Sequence, residues 1–320
     1  MMDSVLITGG LGYVGGRVAQ ALADNPQLFL RLGTRQADLP VPTWFANGEA
    51  VSLDIMRDED LDAACRGVRS VIHLAAMNEI DSTADPQQAL IINSLGTLKV
   101  LRAAERAGAE RFIYFSTAHV YGAPLVGTIT EQTLPRPIHP YAITHHVAED
   151  FVLAANDRGT LTGIVLRLSN GFGAPINAGV NRWTLIVNDL CRQAVTTKKL
   201  ALRSSGLQQR DFITLADVGR AVAHFLDLPA EQCDNRLFNL GGDASLRIID
   251  ITERIADRCE SILGFRPAIE RPDPNPGETS EPLDYRIDKL KATGFSLTGN
   301  FDEEIDATLR LCQQAFGGVK

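Results

Sequence analysis

Apolar residues recur along this chain with two periods. Short runs at Val5 to Thr8, Leu28 to Leu32, Ala50 to Leu53, Val71 to Leu74 and Phe112 to Ser116 read as buried strands. Between them lie helix-periodic stretches, Gly12 to Ala23 and a long one from about Pro86 to Ala107. A second long helix is expected from about Tyr141 to Ala155, followed by a strand from Gly163 to Leu168. This alternation predicts the α/β class, a doubly wound parallel sheet with helices on both faces. After Asn170 the pattern loosens into shorter helices (Arg182 to Val195, Leu215 to Leu226, Ile248 to Leu263, Glu303 to Ala315) and brief strands, the mark of a smaller C-terminal lobe. Four prolines between Arg271 and Pro282 predict an extended loop. We therefore expect one domain over 1–170, rejoined by a segment of about 212–242, and a mainly substrate-binding lobe over 171–320.

The junction after the first strand carries candidate chemistry. Glycines stand at 9, 12 and 15 in Gly9-Gly10-Leu11-Gly12-Tyr13-Val14-Gly15, and the following helix turns Val14, Val18, Ala19 and Leu22 inward. The first glycine makes a tight turn, the second admits a pyrophosphate against the backbone, and the third allows close helix–strand packing. The strand–loop–helix context makes this a Rossmann-type dinucleotide site. At the end of the second strand, where a carboxylate would bind the ribose 2′-hydroxyl of NAD, the chain has Leu32-Gly33-Thr34-Arg35. An arginine there favours a 2′-phosphate, hence NADP, although Arg35 could also stack on the adenine of NAD or sit in solvent.

Thr-Gly-x-x-Gly-x-x-Gly, with its last two glycines three apart, resembles the fingerprint of the extended short-chain dehydrogenase/reductases, in particular their NAD-dependent epimerase/dehydratase branch. Further stretches resemble that family in order: Leu53-Asp54-Ile55, His73-Leu74-Ala75-Ala76, Asn93 in Asn-x-x-Gly-Thr, Phe112 through Gly122, Arg210-Asp211-Phe212, Phe238-Asn239-Leu240-Gly241 and Asp288-Lys289-Leu290. The resemblance spans nearly the whole chain. It implies a dinucleotide held by Gly9, Gly12, Tyr13, Val14, Gly15, Arg35, Asp54, Ile55, Leu74, Ala75, Ala76, Asn93 and Ser116, with Tyr141 and His145 at its nicotinamide end. It also implies a catalytic set in which Thr117 orients a substrate hydroxyl and Tyr141 exchanges its proton.

One departure matters. The family places a lysine four residues after the tyrosine, on the same helix face, and His145 stands there instead. With an unperturbed pKa of ~6.5, a histidine would supply only part of the lysine's charge at neutral pH. Two readings follow, an enzyme in which His145 substitutes, or a dinucleotide-binding sensor without turnover. Thr117-Ala118-His119 is closer to the Ser-Ala-Thr of 4-epimerases than to the Thr-Asp-Glu of dehydratases, so oxidation of a ring hydroxyl and hydride return is expected rather than elimination. Asn170 and Arg210 resemble the family's nucleotide-sugar diphosphate ligands. Their alternatives are a turn role for Asn170 and pairing of Arg210 with Asp211 or Asp217. The late loop, Asn275-Pro276-Gly277-Glu278, lacks the arginine many members carry. A reductase of a small carbonyl compound using NADPH suits Arg35 but leaves Asn170 and Arg210 idle.

Composition narrows the partners. Lys plus Arg total 31 against 39 Asp plus Glu, a net charge of -8, which argues against coating nucleic acid or an anionic membrane surface. The five cysteines are scattered, with no Cys-x-x-Cys, so neither a disulfide framework nor a metal site is expected. With no membrane-length apolar run, a cytoplasmic setting fits. By family analogy the long helices pair into a homodimer, with Leu98, Val100, Leu101, Val147 and Phe151 as candidate contacts, unless these face the sheet.

Overall fold

The computed structural model describes residues 2–35, 42–232 and 236–318. Its centre is a parallel sheet built from β1 (Asp3–Thr8), β2 (Leu28–Thr34), β3 (Gly48–Ser52), β4 (Ser70–His73), β5 (Arg111–Thr117) and the strands Thr162–Leu168 and Leu237–Leu240. Across the sheet the order is Leu237–Leu240, Thr162–Leu168, β5, β4, β1, β2, β3. Every pairing in it is parallel. The chain winds from β1 out to β3, then crosses back to β4, so the strand order reverses beside β1. In such sheets the crevice at the carboxyl ends of the reversing strands is where ligands bind.

The alternation of side chains in β1 shows why both faces are covered. Val5 and Ile7 pack into one cluster with Val18, Ala19 and Leu22 of α1 (Tyr13–Ala23) and with Val218, Val222 and Phe225 of the helix Leu215–Asp227. Leu6 points the other way, into a cluster with Val100, Leu101 and Val152 of the helices Gly96–Ala107 and Pro140–Asp157. A strand buried on both faces reads as an unbroken apolar run, the pattern that marked these segments.

The long helix expected from Pro86 is interrupted. Pro86–Ala89 is α-helical, Leu90–Leu95 widens into a π-segment, and Gly96–Ala107 resumes the α-helix. The wider turn brings Asn93 and Ser94 against the Pro140–Asp157 helix, where Asn93 Nδ2 donates to Thr144 Oγ1 (3.0 Å) and Ser94 Oγ to the Thr144 carbonyl (2.8 Å). Val100 and Leu101, expected as candidate subunit contacts, are fully buried against the sheet. The aliphatics left exposed there are Leu90, Ile91, Leu95 and Ile143.

After Asn170 a second, smaller sheet joins Asn170–Phe172, Gln209–Thr214 and Ser245–Arg247. It has its own core, in which Phe172, Trp183, Phe212, Ile251, Ile255 and Leu309 are buried together. Among the described residues, the helix Leu215–Asp227, the strand Leu237–Leu240 and, through Ile287, Leu290 and Phe295, the segment around the short helix Asp288–Ala292 return to the large sheet. The helix expected from Arg182 starts at Ile186, and residues 271–282 are irregular, as their prolines require. Among the described residues, no helix is long and apolar enough to cross a membrane.

Candidate active site

The glycine junction is a cradle that side chains would fill. Gly9 adopts φ +68°, which favours glycine, and a Cβ on it would stand 3.3 Å from Ala75 N and the Leu74 carbonyl carbon. A Cβ on Gly15 would lie 2.2 Å from the Gly9 oxygen, so the helix can approach the turn this closely only without a side chain. Gly12 is the N-cap of α1 and offers no capping side chain, leaving the first-turn N–H groups and the positive end of the helix dipole for an anion. The crevice therefore fits a dinucleotide diphosphate. Thr8 Oγ1 fixes its far wall by accepting from the N–H groups of Leu74 (3.1 Å) and Ala75 (3.2 Å), while Ala76 is exposed beyond them.

Thr8 is also the start of a contact path to the phenol. Its hydroxyl lies 2.6 Å from His73 Nδ1, and His73 Nε2 lies 3.0 Å from Thr97 Oγ1. The His73 ring stacks on Tyr114, whose hydroxyl sits 2.6 Å from His145 Nδ1, and the His145 ring meets Tyr141 edge-on at a centroid distance of 4.4 Å. Residues 141, 145 and 149 share one helix face, and alternate residues of β5, Tyr114 and Ser116, meet it. Ser116 Oγ donates to Glu149, which is held bidentately by Arg167 at 2.6 and 3.0 Å in a fully buried pair.

Burial sets the protonation of this row. It pushes His145 down to about 3, so the imidazole is neutral at physiological pH and supplies no positive charge, against the partial charge expected from an unperturbed histidine. His73 is likewise pushed to about 3, by burial and then by His145. Tyr141 is raised to about 12 by burial, with Glu79 raising it further and Arg182 opposing. The phenol is thus a proton donor at neutral pH. Thr117 ends β5; its Oγ1 accepts from His119 N (3.2 Å), a bond that leaves the hydroxyl its own proton to donate.

Not every expected ligand faces the crevice. The Tyr13 hydroxyl donates to the Gly173 carbonyl (3.0 Å) and Asn188 (3.3 Å), so only its main chain is left for a cofactor. Asn93 is consumed by Met77 N (2.7 Å) and Thr144, and Ser116 by Glu149; these three side chains brace the walls instead. Asp54 is half-buried beyond β3 and accepts from Met56 N (2.9 Å), Ile55 is buried beside it, and Val14 is half-buried at the cradle. Arg35 is exposed just past the end of β2.

On the other side, Asn170 lies in a strand rather than a turn and its Nδ2 donates to the Asp211 carbonyl (2.9 Å). Arg210 takes neither partner considered for it: Asp211 is occupied by Gly242 N and Ala244 N, and Asp217 by Arg220, Thr298 and Gly299. Among the described residues Arg210 has no ion-pair partner, and its charge helps hold His119 down at about 4, after burial and His139. The rings of His119, His139 and Tyr141 follow one another at 5.4 and 6.2 Å, at the mouth of the crevice. Among the described residues no cluster of potential metal ligands occurs.

Residues 5–241 match the model of the NAD dependent epimerase/dehydratase family. The chain belongs to that family. A UDP-glucose 4-epimerase of Rhizobium meliloti (strain 1021) is 27% identical over 80% of this chain and 83% of its own length. Two solved structures share the fold: the UDP-glucuronic acid 4-epimerase of Bacillus cereus in complex with UDP-glucuronic acid and NAD (23% identity, TM-score 0.79, 97% of this chain and 99% of that one), and RMD of Pseudomonas aeruginosa complexed with NADPH (23%, TM-score 0.78, 98% of each). The protein is accordingly an enzyme of the extended short-chain dehydrogenase type with a nicotinamide dinucleotide cofactor.

Within the family frame, sequence reasoning gave no role to Tyr114, Glu149 or Arg167. A signal for two of them was present. Tyr141, His145 and Glu149 repeat at intervals of four on a helix that must lie on the sheet, so the residues facing them were to be sought two apart on the neighbouring strand.

Proposed function

We propose that the protein is an NAD(P)-dependent epimerase of a nucleotide sugar, working through a transient ketone. The observation that carries this reading is the unbroken contact path from the glycine cradle through Thr8, His73, Tyr114 and His145 to the Tyr141 phenol. When bound, the nicotinamide supplies the hydride chemistry, taking hydride from a ring carbon and returning it to the opposite face. Thr117 orients the ring hydroxyl, Tyr141 takes its proton as the ketone forms and gives it back on reduction, and His145 holds the ribose. Residues 171–320 supply the substrate side, where the unpaired Arg210 meets a diphosphate and Asn170 lines the approach. Arg35 at the end of β2 favours NADP over NAD. The exposed Leu90, Ile91, Leu95 and Ile143 lie on mutually packed helices and form the contact of a homodimer. The buried thiols of Cys65, Cys191, Cys259 and Cys312 suit a reducing, cytoplasmic setting.

One observation favours a second reading. A neutral His145 and a phenol held near 12 suit proton donation to a carbonyl, the direction of an NADPH-dependent reductase. Incubating the purified protein with dinucleotide and a panel of UDP- and dTDP-sugars separates the two. Epimer interconversion without net NADPH consumption supports the epimerase; stoichiometric NADPH oxidation with a carbonyl compound, and no epimer, replaces it with the reductase. Binding of dinucleotide without either reaction leaves the sensor.

A further inference from the structure

The replacement of an ammonium by a neutral imidazole raises a question of tautomer. A lysine presents a proton in any orientation, whereas a neutral imidazole carries one on Nδ1 or on Nε2, and its partner decides which. The partner of His145 is Tyr114. Its hydroxyl lies 2.6 Å from Nδ1, inside the range of hydroxyl donors and below that of N–H donors. A phenol is also a far stronger acid than a neutral imidazole N–H, which favours a bond from Tyr114 O–H to Nδ1 over one in which Tyr114 donates to its other neighbour, Thr97. The second ring nitrogen, Nε2, is buried and has no partner among the described residues. A buried polar atom left without a partner is costly, and such an atom beside the Tyr141 ring calls for a ligand oxygen.

We infer that Tyr114 is a positioning residue that locks His145 in the Nε2–H tautomer, so that a neutral, directed N–H does the ribose-holding work of the absent lysine ammonium. This rests on the dinucleotide reading above and deepens it. The neighbouring network agrees: Thr8 Oγ1 already accepts two N–H groups and so donates to His73 Nδ1, which makes His73 an Nε2–H tautomer donating to Thr97. Tyr114 repeats for His145 what Thr8 does for His73, two strands further along the sheet.

The test needs no substrate. In protein with 15N-labelled histidine, long-range 1H–15N correlation reads the tautomer of His145 directly, assigned by its loss in His145→Gln. Nε2 protonated and Nδ1 bare is expected; Nδ1 protonated overturns the inference whether or not any dinucleotide binds. In Tyr114→Phe, which keeps the ring and its packing, the tautomers should mix and affinity for NADPH and NAD should fall about tenfold, the size of one lost directed hydrogen bond. In the His145→Lys background, whose ammonium needs no tautomer, Tyr114→Phe should leave affinity within about twofold. An equal loss in both backgrounds would make Tyr114 merely structural and overturn the inference. Failure of every form to bind dinucleotide would instead sink the functional reading, while the wild-type spectrum still decides the tautomer.

Discussion

The glycine cradle at the end of β1 and the Tyr141–His145–Glu149 face of the Pro140–Asp157 helix are joined by one contact path, yet they are built in opposite ways. The cradle is main chain. Its shape is set by what is absent at Gly9, Gly12 and Gly15, and its one titratable residue, Tyr13, is a buried phenol whose proton burial holds on to. The helix face is side chain throughout: His145 is tied to Tyr114 and Glu149 to Ser116 on β5 and to Arg167 on the Thr162–Leu168 strand, while Tyr141 packs on the His145 ring. Backbone geometry tolerates no substitution but needs no partner; the side-chain face tolerates a lysine becoming a histidine only because Tyr114 is there to meet it.

The largest way to separate the two regions is Tyr141→Phe. Removing the phenolic proton donor and leaving the ring should lower turnover by roughly 10²- to 10⁴-fold, the ordinary contribution of a general acid–base, with dinucleotide affinity unchanged. Unchanged turnover would take Tyr141 out of the chemistry. Gly15→Ala should do the reverse at the cradle. Its Cβ would collide with the Gly9 oxygen at 2.2 Å, and opening that turn should weaken dinucleotide binding about a hundredfold and cost about 1–3 kcal/mol of stability. Gly108→Ala is the control. Gly108 has a left-handed backbone at φ +74° with nothing near its missing Cβ, so about 1 kcal/mol of stability should go and no affinity. Affinities falling alike in both variants, measured by protein-to-NADPH energy transfer, would mean that Gly15 acts only through the fold.

This contrast also governs what could be read before any coordinates. The strands were legible because burial on both faces leaves a continuous apolar run, and the cradle because three glycines after a strand have a backbone reason to be there. Tyr141 and His145 came from the resemblance to the family, whose tyrosine and lysine stand four residues apart on one helix. What escaped depends on pairs distant in sequence: Tyr114 with His145 is 31 residues apart, and Asn93 with Thr144 is 51. That Tyr13, Asn93 and Ser116, expected at the cofactor, have side chains bonded to Gly173 and Asn188, to Met77 and Thr144, and to Glu149 was hidden for the same reason, since local pattern does not display such partners. The break in the long helix at Leu90–Leu95 has no proline to announce it; tertiary hydrogen bonds to Thr144 set it.

Protonation separates the regions once more, with a smaller effect. His73 and His145 are buried, and in the native protein both titrate near 3, against about 6.5 when unfolded. Their native pKa values are depressed, so between these limits the unfolded chain binds protons that the native chain refuses. Stability is therefore intact above pH ~6.5 and falls as pH drops, by about 1.4 kcal/mol per pH unit for each residue once well below 6.5. Asp211 works in the opposite sense, because burial holds its carboxyl up at about 6 and the native state gains protons first. A difference measurement cancels it. Urea unfolding of the wild type and of His145→Gln at pH 7 and pH 5 should show the wild type losing about 2 kcal/mol more than the variant over that interval. Equal losses would mean that His145 takes up its proton in the folded protein, and the neutral imidazole on which the catalytic face depends would have to be given up, while the cradle, where nothing titrates between pH 5 and pH 7, would stand unaffected.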